Sequence, residues 1–246
     1  PGKDYLNPEI NLIIDEMIDS IDKSYFTDFL RDWINKKIKS DLSSLTDLKN
    51  INTTNASIRA LAYQLYENNG VVKREDVKEF LKNLLQEDRR VLRNLGVKFG
   101  RYHIFLFKLF KPNAVLLRIA LWKNFHQTYH KLNPPTFGLN FLKERKELSK
   151  DFMLLCGFEK FDNFFVRIDI LERLFILILN SSKNNEIKLV PDMLNLLGSN
   201  KENFVKLLQN MRYKIYKKDK DIYFKYNSNK KKLKMKTKKI DKINNP

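Results

Sequence analysis

The chain has 246 residues, 43% of them apolar, with only seven glycines, seven prolines and one cysteine. That is ample material for a core, and the shortage of turn residues argues against a many-stranded sandwich or barrel. Its formal charge of +18 points to a polyanionic partner, nucleic acid ahead of an acidic membrane surface.

In the first fifty residues, "NPEINLIIDEMIDSIDK" sets Ile10, Ile13, Ile14, Met17, Ile18 and Ile21 at helical spacing with acids opposite. A second helix is predicted through Phe26, Phe29, Leu30, Trp33, Ile34 and Ile38, and "SDLSSLTDLKNINTTN" reads as a polar connection rich in cap residues. "NASIRALAYQLYENNG" then places Ile58, Leu61, Ala62 and Leu65 on one stripe, with Gly70 as the stop. The next helix is predicted over residues 74–94, through Val77, Phe80, Leu81, Leu84, Leu85, Val91 and Leu92, giving an antiparallel helical pair.

"LGVKFGRYHIFLFKLFKP" breaks the helical pattern, and its two glycines and aromatics predict a tight turn and a buried extended piece. Pro112 suits the first position of a buried helix that runs to His130 and stops at Asn133-Pro134-Pro135. Between residues 136 and 166 a short basic helix is expected around "FLKERKELSKDFMLLC", and a strand near "FFVRI".

A different order follows. "RIDILERLFILILNSS" supplies a helix, "EIKLV" a short strand, and Pro191 opens the small helix "PDMLNLL", which turns at Gly198. Ser199 to Glu202 forms an S-x-x-E capping box for the next helix. In that helix Phe204, Leu207, Leu208 and Met211 face inward, while Asn203, Lys206 and Asn210 lie outside and Lys201 sits near the amino end. "YKIYKK" and "DIYFKY" form a hairpin across Lys218, Asp219 and Lys220, with Ile215, Ile222, Phe224 and Tyr226 able to share its buried face.

Helix, strand, helix, turn, helix, hairpin is the order of a winged helix, which presents its second helix to a groove and its hairpin to the adjacent backbone. The expected fold is mostly α, in four parts: an N-terminal helical segment (1–50), a helical bundle-like body with the GVKFG turn (51–166), a winged-helix-like module (167–226) and a disordered lysine-rich tail (227–246). Residues 217–246 carry twelve Lys against three Asp, half of the excess charge. The side chains expected to touch nucleic acid are Lys201, Asn203, Lys206, Asn210 and Arg212, then Lys217, Lys218 and Lys220 on the hairpin, and Lys230, Lys231 and Lys232 in the tail. Winged helices also serve as protein-contact modules, and that alternative stays open.

No catalytic or metal site is expected. "NLIIDEMID" imitates a magnesium-binding strand, yet Asp15-Glu16 lacks a preceding G-x-x-x-x-G-K-[ST] loop and reads as helix surface. His126 and His130 stand at i, i+4 without a third ligand, and His103 reads as a hydrogen-bonded core residue. Cys156 reads as a buried, inert thiol of a reducing, cytoplasmic location. The longest apolar run, in "LERLFILILN", is too short to span a membrane.

The run "DRRVLRNLGVKFGRYHIFLFKLFKPNAVLLRIALW" resembles a signature in the C-terminal part of bacterial, especially alphaproteobacterial, superfamily-2 helicases related to the mitochondrial degradosome helicase. The flanks "ALAYQLYENNGVVKRE", "PPTFGL", "VRIDILERL" and "LLGSNKENFVKLLQNMRYK" match in order, so the resemblance covers roughly residues 54–226. Departures fall at Phe107-Lys108, where the family has a proline, and at Lys98 in place of an arginine. The resemblance implies the accessory region of an ATP-dependent helicase, with ATP and magnesium bound only by motor domains of the parent chain. The start at Pro1-Gly2-Lys3, without Met, is what a fragment would show. The implied partners are RNA or DNA and those motor domains; the alternative is an interaction scaffold that docks the helicase or a partner protein on "GVKFGRYHIFLF", through Phe105, Phe107 and Phe110.

Overall fold

The computed structural model describes residues 2, 4–13, 20–127, 132–144, 148–182, 186–218 and 221–226. Helix α1 (Ser20–Asp41) is anchored through its carboxyl end, where Ile38 is buried and Ile34 packs on the core. Its other half leaves Tyr25, Phe26, Phe29 and Trp33 exposed, so three aromatics of the expected apolar stripe, Phe26, Phe29 and Trp33, face solvent. Residues 10–13, expected to begin a helix, are not helical, and Asp15-Glu16 lies outside the described residues. The expected polar connection is instead helix α2 (Ser43–Lys49). Leu42, Leu45 and Leu48 recur every three residues and are buried. Roughly 1.5–3 kcal/mol per buried leucine outweighs the pull of neighbouring Ser and Thr toward caps and turns.

From residue 56 onward one pattern occurs three times. In the first unit, α3 (Ala56–Glu67) leads to β1 (Val71–Lys73), then to α4 (Lys78–Lys82) and α5 (Gln86–Asn94), and closes with the hairpin β2 (Val97–Phe99) and β3 (His103–Leu106). A 3₁₀ turn over Phe107–Phe110 leads to the second unit: α6 (Pro112–Phe125), β4 (Phe141–Lys143), α7 (Lys150–Leu155), and the hairpin β5 (Phe158–Phe161) and β6 (Phe164–Arg167). The third is α8 (Ile168–Asn180), β7 (Ile187–Lys188), α9 (Pro191–Leu197), α10 (Lys201–Asn210), and the hairpin β8 (Tyr213–Lys218) and β9 (Asp221–Tyr226). Each sheet is antiparallel, and its first strand always pairs with the last strand of the hairpin: β1-β3-β2, β4-β6-β5, β7-β9-β8.

The architecture is therefore helix-rich with three small antiparallel sheets, about half of the described residues being helical. That corrects the expectation of a helical bundle-like body over residues 51–166: the extended piece and the strand near "FFVRI" expected there belong to two three-stranded sheets. The predicted helix over 74–94 starts late, at Lys78, because a strand and turn precede it, and it is interrupted once. Val71 and Val72 pair with β3, and the chain breaks at Leu85, where Asp88 accepts from the Leu85 amide at 2.9 Å. Arg89 satisfies the carbonyl of Leu81 at the end of α4, at 3.0 Å.

Each unit has its own core. α6 starts at Pro112 as expected, but it is not apolar all round. Arg118 is completely buried and donates to the carbonyls of Asn69 (2.8 Å) and Leu109 (2.6 Å). In the third unit the cap of α10 is Asn200, whose side chain accepts from Asn203 N–H at 2.9 Å. The expected Ser199 is occupied in closing α9, its amide bonded to the Leu194 carbonyl behind the left-handed Gly198. Phe224 is buried as expected, whereas Tyr226 is exposed.

The residue joining each unit's last helix to its hairpin has a left-handed backbone: Gly96 (φ 91°), Gly157 (φ 86°) and Arg212 (φ 68°). Each also donates its amide three residues back, to Arg93, Leu154 and Gln209. Glycine adopts this conformation without penalty, whereas a side chain there costs about 1 kcal/mol or more.

Candidate nucleic-acid interface

The three units meet at an open groove of about 440 Å³. The first unit supplies Lys73, Arg74, Lys78 and Arg101, the second Glu159 and Phe161, and the third Asn210, Arg212 and Tyr226. Five cationic side chains thus face the carboxylates of Glu75 and Glu159. Among the described residues, Arg74, Lys78, Arg101 and Arg212 have no carboxylate within ion-pair distance. Arg74 donates to the Gly100 carbonyl (2.9 Å), and the Arg101 guanidinium lies 5.6 Å from the Phe175 ring centre. Burial, with Arg89 and Arg101 as like-charged neighbours, pulls Arg74 below its ordinary value.

Beneath this surface lies a buried ionic network. Glu172, on α8, accepts from the amides of Arg101, Tyr102 and His103 at 2.5, 2.8 and 2.9 Å, holding the β2–β3 turn. The turn needs Gly100, because a Cβ there would come within 2.3 Å of the Glu172 carboxyl carbon. Burial pushes the Glu172 carboxyl up, but His103 and the three amides outweigh it and hold the group below its ordinary value. His103 Nε2 lies 3.0 Å from Glu159, which also pairs with Lys73 at 2.8 Å. His103 Nδ1 stands 3.7 Å from Glu172, an ionic contact too long for a hydrogen bond. Burial opposes charging of His103, yet the two carboxylates prevail and raise its pKa. Glu159 and Glu172 are thus matched by His103 and Lys73, and the four remaining groove cations outnumber Glu75, with which none forms an ion pair among the described residues.

The residues singled out from sequence are dispersed. Asn210 and Arg212 reach the groove. Lys206 is paired with Glu202 at 2.9 Å, and Asn210 donates to the Lys206 carbonyl at 3.0 Å. Lys201 is exposed and Asn203 half-buried, near the start of α10. Lys217 and Lys218 are exposed at the opposite end of the hairpin, about 17 Å along the strand from Tyr213 at the usual rise. Lys220, Lys230, Lys231 and Lys232 lie outside the described residues, as does His130; His126 caps α6 and packs on Trp122. His103 is the hydrogen-bonded core residue expected. Cys156 is buried, its thiol pushed up to about 12 by desolvation.

Sequence reasoning missed Lys73, Arg74, Lys78 and Arg101. The available signal was a cation beside each end of a short strand pair, in "VVKRED" and "FGRYH", but only the β1–β3 pairing brings these segments together.

Comparison of the chain with protein-family models, curated proteins and solved structures gave no match. Among the described residues no helix is long and apolar enough to cross a membrane.

Proposed function

We propose that this chain is a non-catalytic nucleic-acid-binding region of an ATP-dependent RNA or DNA helicase whose motor domains carry the ATP and magnesium chemistry. In this reading residues 167–226 form a winged helix, with α10 as the helix offered to nucleic acid and β8–β9 as the wing, and the two preceding units are variants of the same module. The observation that carries the reading is the excess of cations over carboxylates where the units meet, in a chain of net charge +18. Phosphate binding needs only such charge within reach, and it raises substrate residence without changing the motor's chemistry. The helicase parentage rests on the sequence resemblance.

The test is binding of the chain, and of a version ending at Asn227, to single- and double-stranded RNA and DNA across salt. Micromolar binding that weakens steeply with salt and survives truncation supports the reading; no binding at low salt refutes it. A second reading, a docking scaffold, loses two thirds of its expected surface. Phe105 is buried and Phe110 stacks on it at 5.3 Å, leaving Phe107 exposed. The exposed Tyr25, Phe26, Phe29 and Trp33 of α1 favour that second reading instead.

A further inference from the structure

Resting on the nucleic-acid reading, we propose that the groove between the three units, rather than the outer face of α10, is the site for a single strand. Its phosphates lie against Arg74, Lys78, Arg101 and Arg212, and a base lies beside Tyr226.

The first support is conformational. Gly96 and Gly157 occupy the left-handed link before the hairpin in two units, and the third puts Arg212 there. Arginine is disfavoured in that conformation, and its side chain is exposed on the groove. A strained residue kept where glycine serves elsewhere in the same chain marks a side chain retained for what it contacts.

The second support is electrostatic. The only carboxylate with two ion partners at the groove, Glu159, is satisfied by Lys73 and His103. The cations beyond it have no carboxylate within ion-pair distance among the described residues, and the four of them outnumber Glu75, the other carboxylate lining the groove. The turn that carries Arg101 is fixed by the three amide bonds to Glu172, which limits the ordering cost of binding.

Size and lining choose the strand form. A groove of 440 Å³ falls within the range of small-ligand sites and admits part of one strand, not a duplex. Tyr226 is 46% exposed at the rim, where an aromatic face flanked by cations suits base stacking. Tyr226 is also where the chain passes into residues 227–246, which carry eight lysines and one aspartate.

The experiment measures binding of the full chain to a labelled single strand and to the corresponding duplex across salt, with Arg212→Gly, Arg101→Ala and, for the α10 face, Lys206→Ala. The groove requires tighter binding of the single strand, with Arg212→Gly and Arg101→Ala each weakening it about tenfold and flattening the salt dependence by about 0.7 in log–log slope. Arg212→Gly should unfold at the same temperature as the parent chain or higher, so its loss cannot be assigned to misfolding. Tighter duplex binding, or a larger loss in Lys206→Ala than in both groove variants, overturns the groove while leaving the wider function intact. Absence of binding to either form at low salt overturns both, as does a preference for a phosphopeptide over every nucleic acid tested.

Discussion

Glu172→Gln removes one charge from beneath the groove while keeping the side chain's size. The parent carboxylate receives three amides, two at Oε1 and one at Oε2, and it stands 3.7 Å from His103. A glutamine oxygen can keep the Tyr102 and His103 amides, but its NH₂ then faces the Arg101 amide, donor against donor. One charge-assisted bond, worth about 1.5–3 kcal/mol, is lost, and the remaining two become neutral and weaker. The expected destabilisation is about 3 kcal/mol, or about 6–12 °C in Tm for a chain of this size. Thermal unfolding by circular dichroism measures it. The chain has three histidines, so an NMR titration can also follow His103, whose pKa should fall once one of its two carboxylates is neutral. A Tm loss under 2 °C with an unmoved His103 would show that the carboxylate does not hold the turn.

The same network sets a pH dependence. His103 is raised above its ordinary 6.5, so its contribution is complete below that pH and is lost as pH rises through its folded value. Glu159 and Glu172 are held below 4.5, and their contribution is lost as pH falls through their folded values. Relative to His103→Gln, the parent chain should have its largest Tm advantage between about pH 4.5 and 6.5, and a flat difference from pH 4 to 9 would refute this. Leu45→Ala, in the helix that replaces the expected loop, should cost about 2–5 kcal/mol in denaturant unfolding; a loss below 1 kcal/mol would mean α2 is not part of the core. Gly157→Ala adds a Cβ at φ 86° that meets Phe110 at 2.8 Å, whereas Gly138→Ala, at φ 97°, meets nothing within 4 Å. Both should be destabilised, Gly157→Ala by about 1–3 kcal/mol more; equal losses would remove the packing argument.

What was legible in the sequence was local. The apolar stripes of α3, α8 and α10, the helix starts at Pro112 and Pro191, the turn at Gly198 and the β8–β9 hairpin each depend on neighbours within a few residues. Their physics is therefore complete in a short window. Tertiary structure decided the rest. Of the leading strands only β7, in "EIKLV", was expected; β1 and β4, three residues each, are too short to show a period of two. All three exist because a later hairpin offers unpaired amides and carbonyls. The aromatic spacing of α1 predicted burial, but among the described residues no partner surface reaches its exposed half. Arg212 was recognised from its charge, whereas Arg74, Lys78 and Arg101 were not, because a groove is a property of distance in space. These side chains become neighbours only when three copies of one topology pack together, and a burial-driven assembly of that kind leaves no periodic mark on the chain.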